Sequence, residues 1–142
     1  MQALLDAIPY VARAGLTISD VRPGYAAIRL PFVETNMNHV SMLHAGALVL
    51  AAETAGGVAC LAHPSLQGYM LLAKGLTTRY RKPGLAACTA FCQLDEAAVL
   101  ACAAEVEKSR KADLEAHIEV RSDDGEVLTD VTVTYHFRKH RA

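Results

Sequence analysis

The chain has 142 residues, enough for one domain with its own hydrophobic core and too few for a second. Its apolar share of 52% is high and its charged share of 20% is low, so some apolar surface is expected to be covered by another subunit. Fourteen basic against fifteen acidic residues leave a net charge of -1, which excludes the electrostatic footprint of a nucleic-acid or anionic-membrane binder.

The opening Met1-Gln2-Ala3-Leu4-Leu5-Asp6 lacks the basic n-region of a secretory signal, so a cytoplasmic location is expected. Gln2 to Ile8 reads as a short helix stopped at Pro9. Gly15 to Val21 and Tyr25 to Phe32 read as a strand pair around the turn residues Arg22-Pro23-Gly24. Glu34 to Ser41 reads as a loop. Ala45 to Ala62 then forms eighteen residues with a single charge, a helix of about 27 Å buried nearly all round. It imitates a membrane span, but Glu53 at its middle and the absence of basic flanks argue against one. His63-Pro64 ends it.

Tyr69 to Arg81 returns to strand character, closed by Lys82-Pro83-Gly84, and Leu85 to Leu94 supplies the next strand. Asp95 caps a helix over residues 96–108, acidic early and basic late. Lys111 to Ser122 and Glu126 to Arg138 flank the hairpin signal Asp123-Asp124-Gly125. Cys60, Cys88, Cys92 and Cys102 lie in apolar surroundings without metal-ligand spacing, so they read as reduced core residues and no metal is expected. The order predicts an α+β fold, a single domain in which an antiparallel sheet wraps one central helix.

A carboxylate among Leu48, Leu50, Ala52 and Val58 meets a desolvation cost unless paired or protonated, and desolvation moves its pKa towards the range useful for acid–base chemistry. That makes Glu53 the leading catalytic candidate; the alternative is that it sits on the one wet stripe of the helix or meets a buried Arg. At the helix start, Asn38, His44 and Gly46 gather polar groups and backbone N–H donors at the positive end of the helix dipole. Glu53 follows Gly46 by seven residues, on nearly the same helix face.

The segment Asn38-His39-Val40-Ser41-Met42-Leu43-His44-Ala45-Gly46, followed by Glu53, resembles the Asn…His-Gly-Gly…Asp/Glu signature of PaaI-like hotdog acyl-CoA thioesterases. The added helix after Asp95 resembles the branch related to the C-terminal domain of YiiD. The resemblance implies a hotdog fold assembled as a homodimer or dimer of dimers. It also implies a small-molecule acyl-CoA or acyl-carrier thioester as substrate, with no separate cofactor. By that likeness Glu53 activates water or attacks the thioester, Gly46 N–H holds the oxyanion, Asn38 positions water or substrate, and His44 orders the loop.

The resemblance further implies a substrate-binding strand: a Ser or Thr is expected where Ala73 stands, which leaves that role vacant or passes it to Thr77 or Thr78, and Arg79, Arg81 and Lys82 are expected near the coenzyme phosphates. His-Ala-Gly replaces His-Gly-Gly. Two other readings stay open: a noncatalytic acyl-CoA-binding module, suggested by Ala73, and a hydroxyacyl-thioester dehydratase using His39 and Glu53, fourteen residues apart.

Overall fold

The computed structural model describes residues 1–141. The N-terminal helix expected to stop before Pro9 is followed at once by a second: α1 is Gln2–Asp6 and α2 is Pro9–Ala14. Proline breaks a helix interior but suits its first turn, where the N–H has no partner anyway, so Pro9 both ends one helix and starts the next. Gly15 caps α2 in the left-handed conformation at φ 70°. These two turns were not expected from the sequence. Gln2 ties them to the sheet, accepting from Ile18 N–H at 2.8 Å and donating to Leu16 O at 3.1 Å.

The strands are β1 Thr17–Arg22, β2 Tyr25–Leu30, β3 Met70–Tyr80, β4 Cys88–Gln93, β5 Lys111–Ser122 and β6 Val127–Arg138. They form one antiparallel sheet in the order β1-β2-β4-β5-β6-β3. The expected loop from Glu34 contains a 3-10 turn over Glu34–Asn36. The buried Asn36 donates from Nδ2 to Ala14 O at 2.8 Å and to Pro31 O at 3.1 Å. Helix α3 is Ala45–Leu61, one residue shorter than expected, and α4 is Glu96–Ser109. Asp95 accepts from Ala98 N–H at 2.9 Å to cap α4, which buries Val99, Cys102 and Val106 at helical spacing. Since β4 pairs only with Ile118–Ser122 of β5, α4 packs against β5 beside the half that β4 leaves open.

Period-two patterning sends Ile28, Ala90, Ile118, Val120, Val131, Val133, Tyr135 and Phe137 to one face, where α3 packs across β2, β4, β5 and β6. The four cysteines are free and buried; burial pushes the Cys88 and Cys102 thiols up to about 11 and Cys92 to about 12. They pack as small apolar side chains with no reactive thiolate at neutral pH. Among the described residues no helix is long and apolar enough to cross a membrane.

The helix is not buried all round. Gly46, Leu50, Glu53, Gly57 and Leu61 form a partly open stripe, while Gly56 presses on the sheet. There the Tyr135 hydroxyl donates to Glu53 O at 2.5 Å. A Cβ at position 56 would lie 2.2 Å from that hydroxyl, so only glycine admits the contact. Gly56→Ala should cost roughly 2–4 kcal/mol, from overpacking plus a lost hydrogen bond, read by urea denaturation. Adding Tyr135→Phe should recover part of the loss; a Gly56→Ala chain as stable as wild type would refute the contact.

Candidate active site

Glu53 is half-buried and lines a cleft of about 280 Å³ between α1, α2, α3 and β3. Its neighbours there include Thr54, Gly57, Leu61, Leu71 and Ala73. Burial raises its carboxyl above the ordinary value, and no cation offsets that. The wet-stripe alternative thus describes its position on the helix, while the apolar walls supply the desolvation expected of a catalytic carboxylate.

At the start of α3 the geometry departs from expectation. Gly46 N–H is not a bare donor: it donates to His44 Nδ1 at 2.8 Å, so the His44 side chain caps the helix. Gly46 and His44 line a separate hollow of about 210 Å³ with Arg13 and Asn36. Seven residues of helix separate Gly46 from Glu53 by about 10.5 Å along the axis, and Leu50 stands between them on the stripe.

Asn38 is committed to its loop, its Oδ1 accepting from the N–H groups of Val40 and Met42, each at 3.0 Å. It lines a third cleft, of about 310 Å³, with Tyr80, Arg81 and Lys82. Arg81 pairs with Asp130, and Lys82 Nζ lies 2.6 Å from Glu126 Oε1. Asn38, Gly46 and Glu53 therefore share a helix and its approach but line three separate hollows of one chain.

The register of β3 sorts the remaining candidates. Leu71 and Ala73 pair with Phe137 and Tyr135, on the face towards α3. After the bulge between Ala73 and Gly75, Leu76 and Thr78 pair with the buried Val133 and Val131 and face the same way. Thr77 and Arg79 pair with Thr132 and Asp130 on the outer face. Thr77 thus cannot take the role expected at position 73, because strand alternation turns it away from the cleft. Thr78 Oγ1 donates to Asp130 O at 3.4 Å and does not line the cleft of Glu53. His39 is exposed and lies outside that cleft. His117 and His136 do not face each other: His117 Nδ1 meets Thr132 Oγ1 at 3.0 Å and His136 Nδ1 meets Asp113 Oδ1 at 2.7 Å.

Two polar residues escaped the sequence reading. Asn36 fixes the loop, its carbonyl accepting the His44 N–H at 2.8 Å. Thr54 is 6% exposed, its hydroxyl has no hydrogen-bond partner, and its side chain lines the Glu53 cleft that Ala73 also lines. A threonine inside an alanine-rich helix carries no pattern that marks it; only its position beside Glu53 could have drawn notice.

A six-stranded antiparallel sheet folded round one helix, with a carboxylate midway along that helix, is the hotdog architecture expected from the sequence. The chain belongs to the family described as Domain of unknown function (DUF4442), whose model matches residues 1–137. Among solved structures it is similar to PA5026 of Pseudomonas aeruginosa, described as a protein of unknown function and probable thioesterase. The identity is 28%, the TM-score 0.87, and the match covers 98% of this chain and 93% of that one. It shares its fold with thioesterase HI1161 of Haemophilus influenzae, at 17% identity and TM-score 0.76, covering 96% of this chain and 87% of that one. It also shares it with a mutant of the phenylacetic acid degradation protein PaaI of Thermus thermophilus, at 20% identity and TM-score 0.69, covering 92% and 98%. No protein of curated function matches the chain in sequence.

The raised Glu53 pKa has a signed consequence. A carboxyl whose folded pKa lies above its unfolded one stabilises the fold fully below the unfolded value, and that stability is lost as pH rises through the folded one. Glu53→Gln should therefore be more stable than wild type near neutral pH, with the gain shrinking as pH falls through the raised folded value and gone below about 4.3, the ordinary glutamate value. Urea midpoints across this range test it; a gain independent of pH would exclude ionisation as the cause.

Proposed function

We propose that the protein hydrolyses an acyl thioester, with coenzyme A or an acyl carrier as the thiol part and Glu53 as general base or nucleophile. The observation that carries this reading is a desolvated carboxylate at one end of an apolar cleft on the central helix. The relatedness to PA5026, described as a probable thioesterase, supports it. In the general-base route Glu53 takes a proton from water as the water oxygen bonds to the thioester carbon. The tetrahedral oxyanion needs donors; Gly46 N–H of the same chain lies about 10.5 Å along the helix axis, so the donor is the Gly46 N–H of a second copy, once its His44 ring swings off it. Collapse breaks the carbon–sulfur bond, and the thiolate recovers the proton from Glu53. A turn of the Thr54 side chain, from the packed position that shuts its hydroxyl off from solvent, brings to Glu53 the hydroxyl that Ala73 lacks.

The separation of Asn38, Gly46 and Glu53 fits a site completed by a second copy. β3 pairs with β6 along one edge, and its other edge ends the sheet over eleven residues. Met70, Leu72, Leu76 and Tyr80 are exposed there. An open apolar edge of that length is a pairing surface. Because Leu71 and Ala73 wall the cleft, a partner strand paired to β3 would lie beside Glu53; the assembly is a homodimer, alone or within a dimer of dimers. Arg79, on the outer face of β3, joins Arg81 and Lys82, just past its end, as the cations for phosphate.

A noncatalytic acyl-binding module is the second reading, favoured by the occupied Gly46 N–H. The dehydratase reading loses its base, since His39 is exposed and outside the Glu53 cleft. Glu53→Gln should lower thiol release from acyl-CoA by about 10²- to 10⁴-fold, the usual worth of a general base, with circular dichroism unchanged. Undiminished turnover in the folded variant would remove the assignment, whereas acyl-CoA binding without thiol release in wild type would select the module. Thr54→Val should raise the melting temperature, since an unpartnered buried hydroxyl costs about 1–3 kcal/mol, while lowering kcat. Thr54→Ser should keep kcat; a Val variant with full kcat removes Thr54 from the reaction.

A further inference from the structure

The walls of the Glu53 cleft differ in kind from those of its neighbour along the same helix. On α3 the cleft runs from Glu53 past Gly57 to Leu61, and Leu4, Ile8 and Val11 face it from the N-terminal helices. Apart from Glu53 and Thr54, whose hydroxyl is shut off from solvent, its lining side chains are aliphatic, with no aromatic ring, cation or second carboxylate. The hollow at the helix start is polar by contrast, with Arg13, Asn36 and His44 on its walls.

Building on the hydrolase reading above, we infer that the acyl group is a straight aliphatic chain of about eight to ten carbons, its carbonyl at Glu53 and its methyl end at Leu61. The polarity sets the direction. The amide-bearing thiol arm finds donors and acceptors towards the N-terminus of α3, where the tail would find none of the aliphatic cover it has towards Leu61. The distance sets the length. Glu53 and Leu61 are eight residues apart, about 12 Å of helix at 1.5 Å per residue. An extended chain advances about 1.2 Å per bond, so about ten bonds fill the span.

The same walls select against other acyl groups. A charged or hydroxylated tail would be stripped of water with no partner along the aliphatic walls. An aryl group would find no ring to stack on. Leu4 and Ile8, 44% and 41% exposed in the free chain, gain cover when the cleft is filled.

The test is kcat/KM for wild type, Leu61→Trp and Leu61→Ala on straight-chain acyl-CoA thioesters of about two to sixteen carbons, with benzoyl- and phenylacetyl-CoA beside them. Wild type should gain about fourfold per methylene up to about eight carbons and then level or fall. Trp at position 61 should move the optimum to shorter chains and Ala to longer ones, whereas a purely structural role would scale all chain lengths together. An optimum on an aryl or acetyl thioester, or a profile that neither variant moves, overturns the inference. If wild type releases no thiol from any thioester, the hydrolase reading fails instead. Calorimetric affinities for the same panel then decide the acyl group, and a flat series overturns it.

Discussion

The contact between the Tyr135 hydroxyl and the Glu53 carbonyl, made through the gap that Gly56 leaves, sets how the central helix is turned on the sheet. With Gly56 held inward, the Glu53 side chain and Gly57 are turned to the flank between β3 and the N-terminal helices. A small rotation of an almost uniformly apolar helix would carry little hydrophobic penalty, because Leu, Val and Ala would exchange places with their like. A directional hydrogen bond at 2.5 Å and a clash that only glycine avoids supply the specificity that the apolar surface lacks. The carboxylate's surroundings, and with them its raised pKa, follow from that docking.

Two kinds of polar group lie along the helix, and they are held differently. Near its start, His44, Asn36 and Asn38 each engage local backbone groups. At its middle, Glu53 and Thr54 are desolvated and lack partners. Unpaired buried polar groups cost stability, which a purely structural helix would avoid by substituting Leu or Ala. Their presence side by side in one cleft is the physical reason to read that cleft as the reacting end of the site.

The sequence made the architecture legible because its signals were local and strong. Pro23-Gly24 and Asp124-Gly125 marked turns, the alternation of β5 and β6 named their buried faces, and one charge in eighteen residues isolated Glu53. The second N-terminal helix was hidden because Pro9 carries opposite meanings at the interior and at the first turn of a helix. The face of Thr77 could not be known, since the bulge at Ala73/Gly75 shifts alternation by one residue and nothing local announces it. The state of the Gly46 N–H was hidden too: a histidine two residues upstream can cap the helix or leave it bare, and the rotamer decides.

The bulge also explains how one strand serves two purposes. Before it, Leu71 and Ala73 face α3 and wall the cleft; after it, Leu76, Thr78 and Tyr80 face α3 beyond the cleft, and the Tyr80 hydroxyl donates to Ala45 O at 3.0 Å. Without the extra residue, strict alternation from Ala73 would present Gly75 and Thr77 to the helix and turn Leu76 and Tyr80 to the outer face. The bulge residue Lys74 points instead to Asp113 on the outer face, at 2.7 Å. A small residue at position 73 leaves room beside Glu53, and the aromatic at position 80 anchors the strand to the helix start. One inserted residue thus lets an edge strand open a cleft at one end and fasten the central helix at the other.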